Sequence, residues 1–302
     1  MSVELTILLL RPFRPATMMA DHDEGKDDES EAVVEQRIYG CDLIEEASIH
    51  LELPQVCAAT AQTLFHRFYA RRSFARHDVR HVAMGVLFLA AKVEESPRRV
   101  RDVLNVFNAL FQHRDDGSHA LEPLDLNSER YLRMKQLVVG VEAEVLTELG
   151  FLLYTEHPHK FILNYVRLIC PDPSLEQQLA QRAWNVINDS ARTDLCLRFA
   201  PEAICCAAIS MAARALRLPL PTQPPWWEVF EVAKAGARLG ARARSERAKR
   251  CGRLTRARPS RRADADVDRV SGQMADLYAR PKAQYRDLKT KRPSPAAGPG
   301  QG

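Results

Sequence analysis

The chain has 302 residues, and its 43 Lys and Arg against 39 Asp and Glu leave a formal net charge of +4. A hydrophobic share of 46% and a charged share of 27% are globular, with length for one large domain or two ordinary ones. So mild a charge balance does not point to a nucleic-acid binder, and no apolar run is long enough to span a bilayer.

The opening "MSVELTILLLRPF" holds a short apolar run, but Glu4 precedes it and a basic leader is missing, so it reads poorly as a signal peptide. Residues 21–35 are acidic and polar, and residues 1–35 are expected to be a disordered acidic segment. Helical periodicity then dominates. A first helix is expected over residues 36–51, with Ile38, Leu43, Ile44 and Ala47 on one stripe. Pro54 opens a second at a first-turn position; Leu64, Phe65 and Phe68 give it a large apolar face. In the third, "RHDVRHVAMGVLFLAAK", residues 82–91 are apolar on nearly every side, which suits a helix ringed by others. Ser96 and Pro97 read as the N-cap and first residue of a fourth helix ending near Phe111. A polar loop leads to a fifth over residues 128–149, with Gly150 to cap its end.

The pattern then repeats. "HPHKFILNYVRLIC" and "SLEQQLAQRAWNVINDS" are amphipathic, and "FAPEAICCAAISMAARALR" is a second nearly all-apolar helix opened by a proline. "FLAAK" overlays "SMAAR", so Lys92 corresponds to Arg214. The offset, roughly 120 residues, exceeds solenoid periods of up to ~50 and fits a duplicated helical domain. After Trp226, Trp227 and Phe230, residues 233–265 are rich in Arg, Ala and Gly without an apolar stripe. They read as an insert with the composition of a solvated loop, or of an unspliced segment of a GC-rich gene. "DVDRVSGQMADLYARPKAQY" resumes an amphipathic helix with Val267, Val270, Met274, Leu277 and Tyr278, and residues 286–302 form a low-complexity tail.

Catalytic signals are missing: the sequence has no Gly-rich phosphate loop, GxSxG or HExxH. The seven cysteines form no CxxC, and Cys57, Cys205 and Cys206 lie in apolar runs, as reduced, buried thiols of an intracellular protein do. His157 and His159 lack further ligands at zinc-site spacing and read as a helix-entry turn, so neither metal nor cofactor is expected. The Arg-rich insert lacks interleaved aromatics to stack on bases, which disfavours sequence-specific nucleic-acid reading. "KTKRP" has the composition of a nuclear-import signal.

"FLAAKVEESPRR" is anomalous. Glu94 and Glu95 fall at a helix C-terminus and Arg98 and Arg99 in the expected first turn of the next, both against the macrodipole at roughly 0.3–1 kcal/mol each. Either the pairs offset each other across the turn, or they face a charged partner beside an exposed Phe88, which lies one turn from Lys92.

"FLAAKVEE" and the duplicated halves resemble the tandem boxes of cyclins. "LGFLLYTEHPHKFI" resembles the transcription-type members. "ESPRRVRDVLNVF", "AWNVINDSARTDLCLRFAPEAI" and "LPLPTQPPWW" look most like the L-type. The resemblance implies an all-α fold of two cyclin boxes of about five helices each, over residues 36–153 and 154–285, the second interrupted at 233–265. It implies a non-catalytic regulatory subunit that binds and activates a cyclin-dependent kinase of PITSLRE type, in the nucleus, in transcription and pre-mRNA splicing, with splicing or transcription machinery as further partners and no membrane. By the same resemblance the kinase-binding residues are Phe88, Lys92, Glu95, Glu142, Phe151 and Leu153. L-type cyclins typically carry a long Arg-Ser tail. This chain stops at Gly302 with only "RPSP", which leaves splicing-factor association and speckle targeting open. Two other readings are compatible with paired helical bundles. One is a DNA-binding protein like transcription factor IIB, which the missing N-terminal CxxC and basic face disfavour. The other is a cyclin-fold scaffold without kinase activation.

Overall fold

The structure, a computed structural model, describes residues 31–116, 123–170, 172–220, 226–227 and 261–285. Among them are ten α-helices and no strand. The helices are α1 (Glu31–His50), α2 (Gln55–Tyr69), α3 (Val79–Val93), α4 (Val100–Asp116), α5 (Glu129–Glu148), α6 (His159–Ile169), α7 (Glu176–Ser190), α8 (Leu195–Arg198), α9 (Pro201–Ala215) and α10 (Arg261–Ala279).

Two hydrophobic clusters organise them. The first is built from α1 to α5 around α3, whose Ala83, Met84, Val86, Leu87 and Ala90 are fully buried. The second is built from α6 to α10 around α9, with Cys205, Cys206, Ala207 and Ile209 fully buried. The all-apolar helices therefore sit at the two centres, because only a helix surrounded on every side can bury so wide an apolar surface. α1 serves both clusters, giving Leu43 and Ile44 to the first and Ile38 to the second.

The two central helices end alike. Glu95 and Arg217 adopt left-handed backbone, with φ of 52° and 55°. Their N–H groups reach Lys92 and Arg214 carbonyls at 3.3 and 3.1 Å, and the next residues, Ser96 and Leu218, bond back to Ala91 and Ala213 at 2.8 and 2.9 Å. This closure satisfies helix-end carbonyls that otherwise lack partners. It recurs after α5, with Gly150 as the left-handed residue (φ 59°) and Phe151 N–H on Leu146 carbonyl at 2.9 Å.

Several boundaries differ from the sequence reading. Ser96 does not start α4: its N–H closes α3, and the first α4 bonds go to the Arg99 carbonyl, from Asp102 and Val103. Pro54 lies just before α2, at the N-cap. α1 begins at Glu31, inside the stretch expected to be disordered, because Val33 and Val34 pack on the two clusters and Glu31 pairs with Arg280. α10 begins at Arg261, inside the expected insert, and docks Val267, Val270, Met274 and Leu277 in the second cluster. Tyr278 lies off this stripe, half-exposed, and donates to Asp189 Oδ2 at 2.8 Å. Residues 1–30, 228–260 and 286–302 lie outside the described residues, with the expected tail and most of the expected insert.

Of the cysteines among the described residues, Cys41, Cys57, Cys205 and Cys206 are buried, Cys170 and Cys196 are intermediate, and all six are free thiols. Burial pushes the Cys196 thiol up to about 12, so it stays protonated. No helix among the described residues is long and apolar enough to cross a membrane.

Candidate partner-binding face

The end of α3 and the middle of α5 meet at a close helix crossing. Gly85 faces Val141 so tightly that a Cβ on Gly85 would stand 2.5 Å from Val141 Cγ1. That approach brings Glu142, the next residue of α5, within reach of Lys92. The Lys92 ammonium bonds to Glu142 Oε1 at 2.6 Å and lies 3.9 Å from the centre of the Phe88 ring. The Lys92 side chain is 44% exposed and that of Glu142 12%. An aromatic face and a carboxylate thus hold the cation at the surface of the bundle, in a single orientation.

Phe88 is 4% exposed and belongs to the first core cluster, which corrects the expectation of an exposed aromatic anchor. Its ring is a platform under Lys92, whose ammonium lies 3.9 Å from the ring centre. Glu95 leaves the helix face that carries Phe88 and Lys92. The left-handed backbone that closes α3 turns it outward, and it is exposed.

The rest of the charge run divides. Glu94 points inward and accepts from the Thr60 hydroxyl at 2.7 Å. Thr60 is fully buried and also contacts Thr155 Oγ1 at 3.1 Å and His157 Nε2 at 2.8 Å. A carboxylate only accepts, so Thr60 donates to Glu94 and receives from the other side. Arg98 caps α1, donating to the Leu51 carbonyl at 2.9 Å and the Glu52 carbonyl at 2.8 Å. It precedes α4 and serves a helix C-terminus, where a cation is favourable, so the expected dipole conflict does not arise for this residue.

Beyond α5 the chain exposes an apolar run. Phe151 is 68% exposed with φ of 60°, Leu152 42% and Tyr154 81%, whereas Leu153 packs partly against the first cluster. One face of α2 and the turn after it fix this run. Arg67 donates to the Tyr154 carbonyl at 3.0 Å, Arg71 to the Glu148 carbonyl, and Arg72 Nε to Glu148 Oε2 at 2.8 Å. The structure therefore brings Phe88, Lys92 and Glu142 into one cluster and places Glu95, Phe151 and Leu153 at the ends of the two helices that carry it. Sequence reading missed Leu152 and Tyr154, although the unbroken apolar string after Gly150, too short to bury on both sides, was a visible signal. Gly85 was missed too, because nothing local distinguishes a glycine at a crossing.

The histidines of "HPHK" bond within the protein. His157 meets Thr60 and Thr155, and His159 meets Asn188 Oδ1 at 2.8 Å. No group of three metal-ligating side chains occurs among the described residues.

Residues 14–154 match the family model described as cyclin, N-terminal domain. Curated relatives include Cyclin-L1-1 of Oryza sativa subsp. japonica, 40% identical over 263 residues that make up 87% of this chain and 52% of that protein. They also include Cyclin-L1 of Homo sapiens, 49% identical over 194 residues, 64% of this chain and 36% of that protein. The chain thus spans about half, or less, of the length of the relatives it matches. Among solved structures, a chain of the CAK complex from Chaetomium thermophilum bound to ATP-gamma-S shares the fold, with a TM-score of 0.53, 17% identity, and coverage of 80% of this chain and 62% of that one. A chain of the yeast RNA Pol II CTD kinase CTDK-1 complex gives 0.52 at 17% identity, over 62% and 56% of the two chains.

Proposed function

The chain belongs to the cyclin family, and from that premise we propose that it is a non-catalytic regulatory subunit that binds and activates a cyclin-dependent protein kinase. The observation that carries the reading is the Lys92–Glu142 pair held over Phe88, with Phe151 and Leu152 exposed just past the end of α5. An ammonium fixed at a helix end can donate to carbonyls of an incoming chain without first losing side-chain freedom. The exposed apolar run supplies area that a partner can desolvate. Glu95 and Leu153 complete the surface, one as an outward carboxylate and the other as the packed root of the run.

Activation follows from differential affinity. A kinase moves between arrangements in which its lysine–glutamate pair and metal-binding aspartate are aligned or not. A regulatory subunit that contacts the aligned form better shifts the balance by that difference alone. The sequence resemblance to L-type cyclins, which the names Cyclin-L1-1 and Cyclin-L1 of two relatives match, carries the reading further to transcription and pre-mRNA splicing, in the nucleus, with a PITSLRE-type kinase as partner. One of the fold neighbours is a chain of the yeast RNA Pol II CTD kinase CTDK-1 complex, which agrees with this reading.

The test is Lys92→Ala combined with Glu142→Ala, measured by capture of a cyclin-dependent kinase and by circular dichroism. The double variant should keep its helicity and lose capture by roughly tenfold or more, about 1.4 kcal/mol. Capture at the wild-type level would overturn the assignment of this face.

A further inference from the structure

The connection between α3 and α4 holds a motif that partner docking does not use. Ser96 is followed directly by Pro97, and Arg99 is the third residue after it. Proline confines the residue before it to extended backbone, and residues 96–99 are neither helix nor strand. Glu95, Pro97 and Arg99 are exposed and Ser96 is partly exposed. Arg98 is committed to the α1 carbonyls, but the Arg99 guanidinium has no partner among the described residues.

An extended serine with an N–H-less ring next to it and an unpaired arginine two residues further suits one class of enzyme. A proline-directed serine/threonine kinase accepts the ring beside its catalytic centre, and carboxylates of its substrate groove pair with the arginine. We propose that Ser96 is a phosphorylation site for such a kinase and that phosphate there closes the partner-binding face. In the transfer, Ser96 Oγ attacks the γ-phosphorus of ATP and the bond from that phosphorus to the β–γ bridging oxygen breaks. ADP leaves, and the hydroxyl proton passes to the catalytic aspartate of the kinase.

The product carries about −1.5 to −2 charges at neutral pH. They arrive one residue from Glu95 and two from Glu94. Lys92 is already held by Glu142, and among the described residues Arg99 has no partner. The surplus of negative charge falls on the edge that carries Lys92 and Glu95, and this consequence rests on the kinase-binding reading above.

The test uses the full chain, a purified proline-directed kinase and magnesium ATP, with the sites located by mass spectrometry. Ser294, also followed by proline but with Ala297 at the third position, is an internal reference. Ser96 should be modified in preference to Ser294. The phosphorylated chain should capture its partner kinase at least tenfold less well, Ser96→Asp should reproduce the loss, and Ser96→Ala should capture normally. Phosphate on Ser294 but not on Ser96, or full capture by a chain phosphorylated on Ser96, would overturn the proposal. Failure of the unmodified chain to capture any kinase would count against the kinase-binding reading instead, and the mass measurement would still decide the site.

Discussion

Gly85 shows how one missing side chain sets the partner-binding face. Glycine inside a helix costs about 1 kcal/mol relative to alanine, so its place in the middle of α3 needs a compensating reason. The reason is Val141, whose Cγ1 and Cβ stand 2.5 and 2.9 Å from where a Cβ would be. Gly85→Ala should therefore destabilise the protein despite the better helix propensity, by the roughly 1–3 kcal/mol typical of overpacking. The same strain would push α5 outward and lengthen the Lys92–Glu142 contact. Val141→Ala removes the Cγ1 contact but keeps the Cβ at 2.9 Å, so it should recover part of the lost stability in the Gly85→Ala background. Thermal unfolding of the two single variants and the double variant measures this. A Gly85→Ala protein as stable as wild type, or no recovery in the double variant, would show that the crossing is not limited at this point.

At the scale of elements, the segment after α10 acts as a clasp. Its chain returns to the first bundle, where Tyr285 Oη donates to Asp78 Oδ2 at 2.8 Å and the Arg80 guanidinium lies 3.9 Å from the Tyr285 ring centre. Gln36 donates to the Gln284 carbonyl at 2.8 Å, and Arg280 pairs with Glu31. Tyr285→Phe should cost about 1 kcal/mol, the net worth of one hydrogen bond. Tyr285→Ala should cost about 2–4 kcal/mol through lost ring packing and the cation–π contact. Chemical denaturation of the two variants separates these contributions, and equal losses would mean that the ring contributes nothing. The same element explains what was readable in the sequence. The apolar centres of α3 and α9 and the correspondence of Lys92 with Arg214 were legible, because helix burial is written in local spacing. The two helices close with the same left-handed turn three residues after Lys92 and Arg214. The start of α1 and the role of Arg98 were not legible. Their causes are partners 46 to 249 positions away, such as Glu52 for Arg98 and Arg280 for Glu31. Phe88 was read as exposed for a similar reason: its burial in the first cluster depends on packing that local spacing around it does not reveal.

Across the whole molecule, the seam between the two bundles is polar and rich in histidine, and this gives the protein a characteristic response to acid. His66, fully buried on α2, contacts the Ala191 carbonyl through Nε2 at 2.8 Å. A carbonyl only accepts, so Nε2 carries the hydrogen, and Nδ1 faces Arg37 Nη1 at 3.4 Å. Burial, followed by the Arg37 charge, lowers the His66 pKa to about 4. His157 is lowered to about 4 by burial, with His159 and Arg67 adding repulsion, and His159 is lowered by burial. A base whose folded pKa lies below its unfolded value binds fewer protons when folded. Its stabilising effect is therefore complete above the unfolded pKa near 6.5 and fades as pH falls towards the folded one. For fully buried His66 that difference is worth up to roughly 3 kcal/mol. Asp42 and Glu45, which face Arg192 across the seam, have carboxyl pKa values raised by burial. Their sign is opposite: they bind protons more readily when folded, which offsets part of the loss once pH approaches the carboxylate range. Melting temperature should thus be flat from about pH 8 to 7 and fall steadily below about 6.5. His66→Gln preserves a donor to the Ala191 carbonyl but cannot titrate, so it should flatten the fall between pH 7.5 and 5 without abolishing it, because His157 and His159 remain. An unchanged slope in that variant would remove His66 from the account and leave acid sensitivity to the other two histidines.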